Sequence, residues 1–331
     1  MDKVIALILL VLFSSCQKNE YFGPVNVSDD SILESQTSNL LYIGCEGNFQ
    51  YNNASLSVLN LEEDKVENDV FSRTNGFQVG DVLQSILHHG DSLYLVINNS
   101  GLIRIINDST FEQIAVIEGF NSPRYMLMID RKHAVVSDFG GQELTVIDVS
   151  NAQIIDKVST ATWTERMVQV EDKLYVSNMT DSSVLVFGLP SFNLSAEIDL
   201  GIEPSYLFEG KTDVMIVGNG KSGSRIVKLD QFNQTQAIQS FNTRLSGAVL
   251  YDSIIYLLRN NVVNQLNVST LESISFNHAA QTPYSIFVDQ SGIYISDVLD
   301  YLSKGKVLKY SHSSELLNTC NTGLIPQALA R

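Results

Sequence analysis

Cysteine, proline and tryptophan are scarce in this sequence. Its 331 residues include 3 Cys, 6 Pro and 1 Trp. Cys16 belongs to an N-terminal segment considered below, which leaves Cys45 and Cys320 for the rest of the chain. Two cysteines are too few for the disulfide framework of a small secreted domain or for a four-cysteine zinc site. Both classes of protein are therefore excluded, while a single disulfide between Cys45 and Cys320 stays open.

Positively charged residues are also scarce. Lys and Arg number 21 against 37 Asp and Glu, which gives a formal net charge of -16. A chain with this balance is repelled by a phosphate backbone, so we expect no nucleic-acid partner. With 44% hydrophobic and only 18% charged residues, the composition also excludes an intrinsically disordered chain.

The N-terminus carries a short apolar run. Val4–Phe13, VIALILLVLF, follows Lys3 and precedes two serines and Cys16. A helix of this length is too short to span a bilayer. The pattern therefore predicts a secretory signal over residues 1–15 rather than a membrane anchor.

Small residues that end at a cysteine resemble a bacterial lipobox. The resemblance implies cleavage before Cys16 and attachment of lipid to its sulfur and its new amino group. The segment Cys16–Phe22, CQKNEYF, also resembles the export tags that send Bacteroidota lipoproteins to the outer face of the outer membrane. We therefore expect a lipid-anchored, surface-exposed outer-membrane protein with a polar, flexible tether over residues 16–38. A buried apolar helix with a chance cysteine is the alternative interpretation.

An apolar strand pattern recurs along the rest of the chain, residues 39–331. Its aligned positions are Tyr42, Tyr94, Val135, Tyr175, Met215, Tyr256 and Tyr294. A second strand follows each, and both are rich in β-branched or aromatic residues between breaks of Asn, Asp, Ser and Gly. Repeats of about 40 residues with about four strands are typical of propeller blades, and no stretch shows a convincing helical period. The prediction is an all-β, seven-bladed β-propeller of four-stranded antiparallel blades.

The closure of the ring is predicted from the two ends of the repeat. Before the apolar strands lie segments such as SPRYMLM (122–128), which we assign to the innermost strand of each blade. The first apolar strand, at Leu40, has no such segment before it, and the last such segment, IPQALAR (325–331), has no apolar strand after it. The C-terminal strand should therefore complete the first blade, which removes free sheet edges.

This repeat resembles the YncE-like or YVTN-type propellers over residues 39–331. A narrower resemblance depends on four segments. They are EGNFQYNNASLSVLN (46–60), VGDVLQS (79–85), VINNSGLIRIIN (96–107) and FNSPRYM (120–126). Together they resemble the Bacteroidota surface lipoprotein propellers that bind cobalamin beside outer-membrane vitamin B12 transporters. The resemblance implies a cobamide ligand and a TonB-dependent outer-membrane receptor as partner.

The two faces of the predicted propeller differ in chemistry. Turns after the first and third strands of the blades carry ordinary turn residues, whereas loops after the second and fourth strands collect aromatic rings beside Asn, Asp and Arg. Such a mixture can stack on a flat ligand and bond to its polar edge. The predicted ligand-binding residues are Phe49, Asn98, Arg124, Tyr125, Asp138, Trp163, Arg166, Asn178, Tyr206 and Tyr284.

Three alternatives remain open at this point. The rings could cap the cores between blades while the Asn and Asp side chains close turns. The protein could be a Ca²⁺-dependent lactonase, for which Glu46, Asp138, Glu165 and Asp297 are the candidate ligands. It could also be a scaffold whose aromatic face docks a partner protein. We expect capture of a small-molecule ligand for a transporter, with no catalytic residues, no metal and no cofactor.

The lipoprotein interpretation predicts that Cys16 is acylated and that the mature chain begins there. Because the apolar run before it is too short to span a membrane, the lipid would supply the anchor. Metabolic labelling with palmitate should mark the wild type and leave Cys16→Ala unlabelled. Equal labelling of the two proteins would remove the lipoprotein interpretation.

Overall fold

A computed structural model describes residues 39–331 of the chain. The strands of this part form seven four-stranded antiparallel sheets, which confirms the predicted all-β, seven-bladed propeller. Within residues 39–331 no helix has the length and hydropathy needed to cross a bilayer. The predicted signal segment, Cys16 and the tether lie outside the described residues.

The first half of the ring contains blades one to four. Blade one begins with β1 (Leu40–Cys45), β2 (Ser55–Asn60) and β3 (Lys65–Glu67), and a short helix, α1 (Val70–Asn75), follows. Blade two contains β4 (Leu83–His89), β5 (Ser92–Ile97), β6 (Leu102–Asn107) and β7 (Gln113–Glu118). Blade three contains β8 (Pro123–Met128), β9 (His133–Asp138), β10 (Glu143–Asp148) and β11 (Gln153–Ser159). Blade four contains β12 (Thr164–Val170), β13 (Lys173–Asn178), β14 (Ser183–Gly188) and β15 (Asn193–Asp199).

The second half of the ring contains blades five to seven and the closing strand. Blade five contains β16 (Glu203–Glu209), β17 (Val214–Gly220), β18 (Gly223–Leu229) and β19 (Thr235–Phe241). Blade six contains β20 (Gly247–Tyr251), β21 (Ile254–Arg259), β22 (Val262–Asn267) and β23 (Ser273–Asn277). Blade seven contains β24 (Pro283–Asp289), β25 (Gly292–Asp297), β26 (Lys304–Tyr310) and β27 (Leu316–Leu324). The closing strand is β28 (Pro326–Ala330).

Apolar cores lie between neighbouring blades. Between blades two and three, for example, Tyr94 and Ile105 of one sheet pack with Ala134 and Ile147 of the next. The described residues hold seven such clusters, one at each junction of the ring. Second strands such as β5 and β25 are buried along their whole length because both of their faces contact a neighbouring blade. This two-sided burial explains why the recurring sequence signal is a continuous apolar run rather than an alternating one.

The helix α1 is the element that the repeat pattern did not predict. It lies between blades one and two, where the aligned residues Tyr42 and Tyr94 are separated by an unusually long stretch of chain. Val70 and Phe71 are buried in the core between these blades. The Arg104 guanidinium lies 5.6 Å from the centroid of the Phe71 ring. The additional residues therefore extend an inter-blade core instead of adding a strand.

The ring is closed by β28, as the sequence predicts. This strand pairs antiparallel with β1, with Tyr42 opposite Ala330 and Gly44 opposite Ala328. A Cβ atom on Gly44 would lie 3.0 Å from the Cβ of Ala328 and 3.1 Å from Cδ1 of Ile86. Glycine therefore allows the close approach of strands at this closure.

The two cysteines of the propeller lie beside this closure. Cys45 and Cys320 are both buried free thiols in the apolar cluster between blades seven and one. Burial raises the pKa of the Cys45 thiol to about 11, which makes it a poor nucleophile. The disulfide that the sequence left open is not formed in this structure.

Deletion of residues 325–331 should abolish cooperative thermal unfolding. Blade one would lose the strand that pairs with β1, and apolar surface would be exposed on both sides of the gap. Circular dichroism during heating measures this effect. Removal of Arg331 alone is the control: it breaks the ion pair with Asp289 but leaves β28 in place, so a cooperative transition at a slightly lower Tm is expected. A seven-residue truncation that melts like the wild type would show that closure does not depend on β28.

Candidate functional site

The connections between strands emerge on two opposite faces of the ring. Loops that follow the second and fourth strands of the blades lie on one face, here called the mouth face; examples are residues 46–54, 139–142 and 160–163. Turns that follow the first and third strands lie on the other, here called the turn face. On the turn face Asp148 and Asn267 close tight turns by accepting backbone N–H bonds two and three residues ahead. The turn face therefore has the ordinary turn chemistry that the sequence predicts.

A channel runs along the axis of the ring. It has a volume of about 470 Å³, and all seven innermost strands contribute to its wall. Near the mouth face the lining residues are mostly polar or aromatic: Gln84, Tyr125, Arg166, Tyr206, Tyr284 and Gln327. Nearer the turn face they are apolar: Ile86, Leu127, Phe208, Val249, Phe287 and Leu329. Polar atoms that can bind a ligand are thus concentrated at the mouth of the channel.

Bulges in the innermost strands shape this mouth. The register with the neighbouring strand shifts between Pro123 and Met126 in β8 and between Thr164 and Met167 in β12. Equivalent shifts occur in β4, β16, β24 and β28. A bulge changes the direction in which the intervening side chains point. Within the first two bulges lie the predicted site residues Arg124, Tyr125 and Arg166.

Arg166 lies in the channel between two aromatic rings. Its guanidinium carbon is 3.9 Å from the centroid of the Tyr125 ring and 5.2 Å from that of Tyr206. Both contacts are within the range of a cation–π interaction. Within residues 39–331 the guanidinium makes no ion pair and no hydrogen bond that would occupy its N–H groups. Its donors are therefore available to a ligand at the mouth.

A second arginine is held in a polar network. Arg124 Nε donates to Glu165 Oε1 at 2.7 Å, and the indole Nε1 of Trp163 donates to the same oxygen at 2.7 Å. Burial raises the pKa of Glu165, while the charge of Arg124 opposes the rise. The Trp163 ring is fixed further by an edge contact with Phe139, whose centroid lies 4.6 Å away. The network thus orients one indole and one guanidinium at the mouth.

Glu46 occupies the opposite side of the mouth. The Tyr284 hydroxyl donates to its Oε1 at 3.3 Å, and the Tyr284 ring packs edge-on against Tyr301. Burial raises the pKa of Glu46 to about 7, against the opposing effects of the Tyr284 hydrogen bond and the charge of Arg124. The carboxyl group therefore changes charge near neutral pH.

Exposed aromatic residues surround the mouth. Phe49 is 61% exposed and Tyr51 76% exposed in the loop after β1, and Phe139 and Tyr301 are also exposed. Asn48 Nδ2 donates to the Tyr301 carbonyl at 3.0 Å, which joins the loops of blades one and seven. We call Phe49, Tyr51, Phe139, Trp163 and Tyr301 the aromatic rim.

Two predicted ligand-binding residues serve the loops instead. Asp138 is fully buried, and its carboxylate accepts backbone N–H bonds from residues 121–122 and 140–141. Asn178 is 1% exposed, and its Oδ1 accepts from the Thr162 hydroxyl and from backbone amides of residues 180–181. The prediction that these side chains face a ligand is therefore corrected: they close turns, because their oxygens satisfy backbone donors beneath the surface.

Asn98 has an intermediate position. It is half-buried, and its Nδ2 donates to the Pro123 carbonyl at 3.1 Å across the junction of blades two and three. Of the predicted residues, Tyr125, Arg166, Tyr206 and Tyr284 line the channel. Arg124 bonds to Gln84 in the channel wall, and Phe49 and Trp163 lie in the mouth-face loops.

Two glutamines at the channel were missed by the sequence reasoning. Gln84 Nε2 donates to the Tyr125 hydroxyl at 3.4 Å, and its Oε1 accepts from Arg124. Gln327 lines the channel with a buried Oε1 that has no hydrogen-bond partner. Both belong to segments assigned to innermost strands, so their strand position was a usable signal. Because neutral amides are neither aromatic nor charged, composition alone does not mark them as site residues.

The donor set does not fit the calcium site of the lactonase alternative. Within residues 39–331 no three His, Cys, Asp or Glu side chains gather as metal ligands. Asp297 accepts backbone N–H bonds from residues 281–282, as Asp138 does in its own blade. Glu165 is engaged by Arg124. Three of the four candidate carboxylates therefore serve loops or an ion pair rather than a shared cation.

Several solved structures are similar in fold. A functionally unknown protein from Desulfotomaculum acetoxidans has a TM-score of 0.69 at 11% identity, over 87% of this chain and 98% of its own. A putative 6-phosphogluconolactonase from Bacteroides uniformis has a TM-score of 0.68 at 12% identity, over 88% and 98%. A quinonprotein alcohol dehydrogenase-like protein from Bacteroides thetaiotaomicron has a TM-score of 0.67 at 14% identity, over 88% and 77%. At these identities the likeness shows the fold alone.

Sequence comparison identifies the family. No curated protein matches the sequence. The model of DUF5074, a domain of unknown function, matches residues 40–315. This range runs from β1 to the turn before β27 and so takes in most of the propeller. The chain belongs to the DUF5074 family.

Proposed function

We propose that this protein binds a small-molecule ligand at the mouth of its channel and that the ligand is a cobamide. The main support for the proposal is the position of Arg166. Its guanidinium lies between the rings of Tyr125 and Tyr206. Its N–H groups are not occupied by other side chains of the described chain. A preorganised guanidinium of this kind binds phosphate or carbonyl oxygen strongly.

The chemistry of a cobamide matches the arrangement of the mouth. Its macrocycle is broad and partly apolar, with amide side chains at the edge and a phosphate in its nucleotide arm. A molecule of this size exceeds a channel of 470 Å³. We therefore place the macrocycle across the aromatic rim and the nucleotide arm in the polar end of the channel, where the phosphate meets Arg166.

Other mouth residues would fix the orientation of the macrocycle. Trp163 is already held by its bond to Glu165, so little side-chain entropy is lost when its ring packs on a ligand. The unpaired oxygen of Gln327 offers an acceptor for an amide of the ligand, while Gln84 holds Tyr125 and Arg124 in place. The mouth thus combines a rigid ring, a cation and neutral amides, as expected for a site that captures rather than transforms its ligand.

The remaining part of the proposal concerns location and partner. A lipid on Cys16 would hold the propeller at the outer membrane, exposed at the cell surface. A TonB-dependent receptor in the same membrane would then accept the captured ligand. These points are supported by the N-terminal sequence pattern and by the resemblance to surface cobalamin-binding propellers.

Trp163→Ala should weaken cyanocobalamin binding by roughly ten- to a hundred-fold, since burial of one such ring against a ligand contributes about 1 to 3 kcal/mol. Isothermal titration calorimetry measures the change. In the wild type, the fluorescence of this single tryptophan should also be quenched on binding, after correction for absorption by the ligand.

The control for this experiment is Phe232→Ala, which removes an aromatic ring that is 72% exposed on the turn face. It should bind cyanocobalamin as the wild type does. Neither heat nor quenching with the wild type at micromolar protein would disprove the cobamide assignment.

Glu46→Gln should reduce the loss of stability that accompanies a rise in pH. The folded pKa of about 7 lies above the ordinary value of 4.5, so the folded state holds its proton more tightly than the unfolded chain does. The resulting stabilisation is fully present below about pH 4.5 and is lost as the pH rises through about 7. The Tm of the wild type should therefore fall more steeply between these pH values than that of the variant.

The exposed residue Glu112 provides the matched control. Glu112→Gln should leave the wild-type dependence of Tm on pH in place. If Glu46→Gln and Glu112→Gln give the same pH dependence, Glu46 does not hold its proton in the way described.

A further inference from the structure

A second cavity opens on the turn face, between blades six and seven. It has a volume of about 380 Å³. Its lining residues are Tyr251, Asp252, Ile254, Tyr256, Gln265, Gln290 and His312. Most of the turn face carries ordinary turns, so a cavity there needs a separate explanation. We call it the Gln265 cleft.

Gln265 has a buried donor without a partner. The residue is 6% exposed, and its Nε2 makes no hydrogen bond. It lies directly opposite Tyr256 in the pairing of β21 with β22. A buried amide that leaves its N–H groups unpaired destabilises the fold. A ligand oxygen in the cleft would remove this penalty.

The other blades show that an unpaired polar group is not required here. The residues opposite the aligned position in the remaining blades are Val58, Ile105, Val146, Val186, Lys228 and Lys309. The two lysines have ion-pair partners, with Lys228 at 2.6 Å from Asp213 and Lys309 at 3.0 Å from Asp64. Among the seven described blades, Gln265 is thus the polar residue at this position that lacks a partner.

The walls of the cleft favour a planar molecule. The rings of Tyr251 and His312 lie nearly parallel, with an interplanar angle of 17° and centroids 5.9 Å apart. His312 Nε2 donates to the Asp289 carbonyl at 2.9 Å, which fixes the imidazole ring. A separation of 5.9 Å leaves no room for another ring between them, so the two rings form one aromatic wall against which a flat ligand can pack. The exposed Asp252 at the opening disfavours an anion.

We propose that the Gln265 cleft binds a small, planar, uncharged molecule that carries a carbonyl oxygen. Nε2 is buried in the ligand-free protein, so the Gln265 amide turns toward the cleft to donate to the ligand oxygen. The ring of the ligand packs against Tyr251 and His312. Gln290 supplies a further amide at the opening. The cleft lies on the opposite face from the channel mouth, so this inference does not depend on the cobamide proposal.

The test measures the binding of 2-pyridone, a planar lactam, to the full propeller and to variants with single substitutions. In a ¹H–¹⁵N spectrum the side-chain amide pair that is missing from Gln265→Val belongs to Gln265. In the wild type this pair should shift saturably with 2-pyridone, with a dissociation constant in the millimolar range. The indole signal of Trp163, on the mouth face, should not move. Gln265→Val should bind at least about tenfold more weakly, which is the loss of one well-placed hydrogen bond.

Two further variants complete the test. Gln239→Val, an exposed amide on the outermost strand β19, should bind 2-pyridone as the wild type does. Tyr251→Leu, which keeps an apolar side chain but removes the ring, should weaken binding without loss of the cooperative melt. Absence of a saturable shift, or equal affinity of the wild type and Gln265→Val, would overturn the proposal.

The ligand-free proteins give an independent measurement. Because valine occupies the matching position in three other blades, Gln265→Val should fold and should melt at or above the wild-type Tm. A Tm clearly below that of the wild type would show that the amide is already satisfied in solution, for example by a bound water, and would also overturn the proposal.

Discussion

The packing of each sheet against the next around a closed ring is the interaction on which the rest of this structure depends. Apolar clusters lie at the junctions between blades, so the sheets stabilise one another in turn. The pairing of β28 with β1 supplies the last of these contacts. Since the blades hold one another at fixed angles, their innermost strands all face one axis. Side chains far apart in sequence, such as Tyr125 and Tyr206, can therefore contact a single guanidinium.

Polar residues on the mouth face fall into two groups with different structural roles, and composition alone does not separate them. At the ends of second strands, Asp138 and Asn219 accept backbone N–H bonds from the loop that leads into an innermost strand. Asn178 accepts from the Thr162 hydroxyl in such a loop. Residues within the innermost strands, such as Arg166, point into the channel because bulges redirect them. The first group holds the loops rigid, and this rigidity keeps the second group in place for a ligand.

The repeat pattern was sufficient to predict the blades and the closure, because continuous apolar runs follow directly from burial of second strands on both faces. It did not predict α1, whose six residues carry only two buried side chains and no helical period. Nor did composition separate Asp138 from Arg124, because the distinction depends on register shifts within β8 and on backbone donors beside it. Gln265 could not be identified from the sequence for a related reason: an unpaired amide is recognised only when its neighbours in space are known.

The pairing of Tyr42 with Ala330 also determines on which face the propeller begins and ends. Both β1 and β28 have their outer ends on the turn face, so the chain enters and leaves the ring side by side there. The described part of the chain therefore begins and ends on the face opposite the mouth. Residue 39 lies on the same face as the Gln265 cleft, and the mouth of the channel opens on the other face. Which strand closes the ring thus decides on which face both ends of the propeller lie.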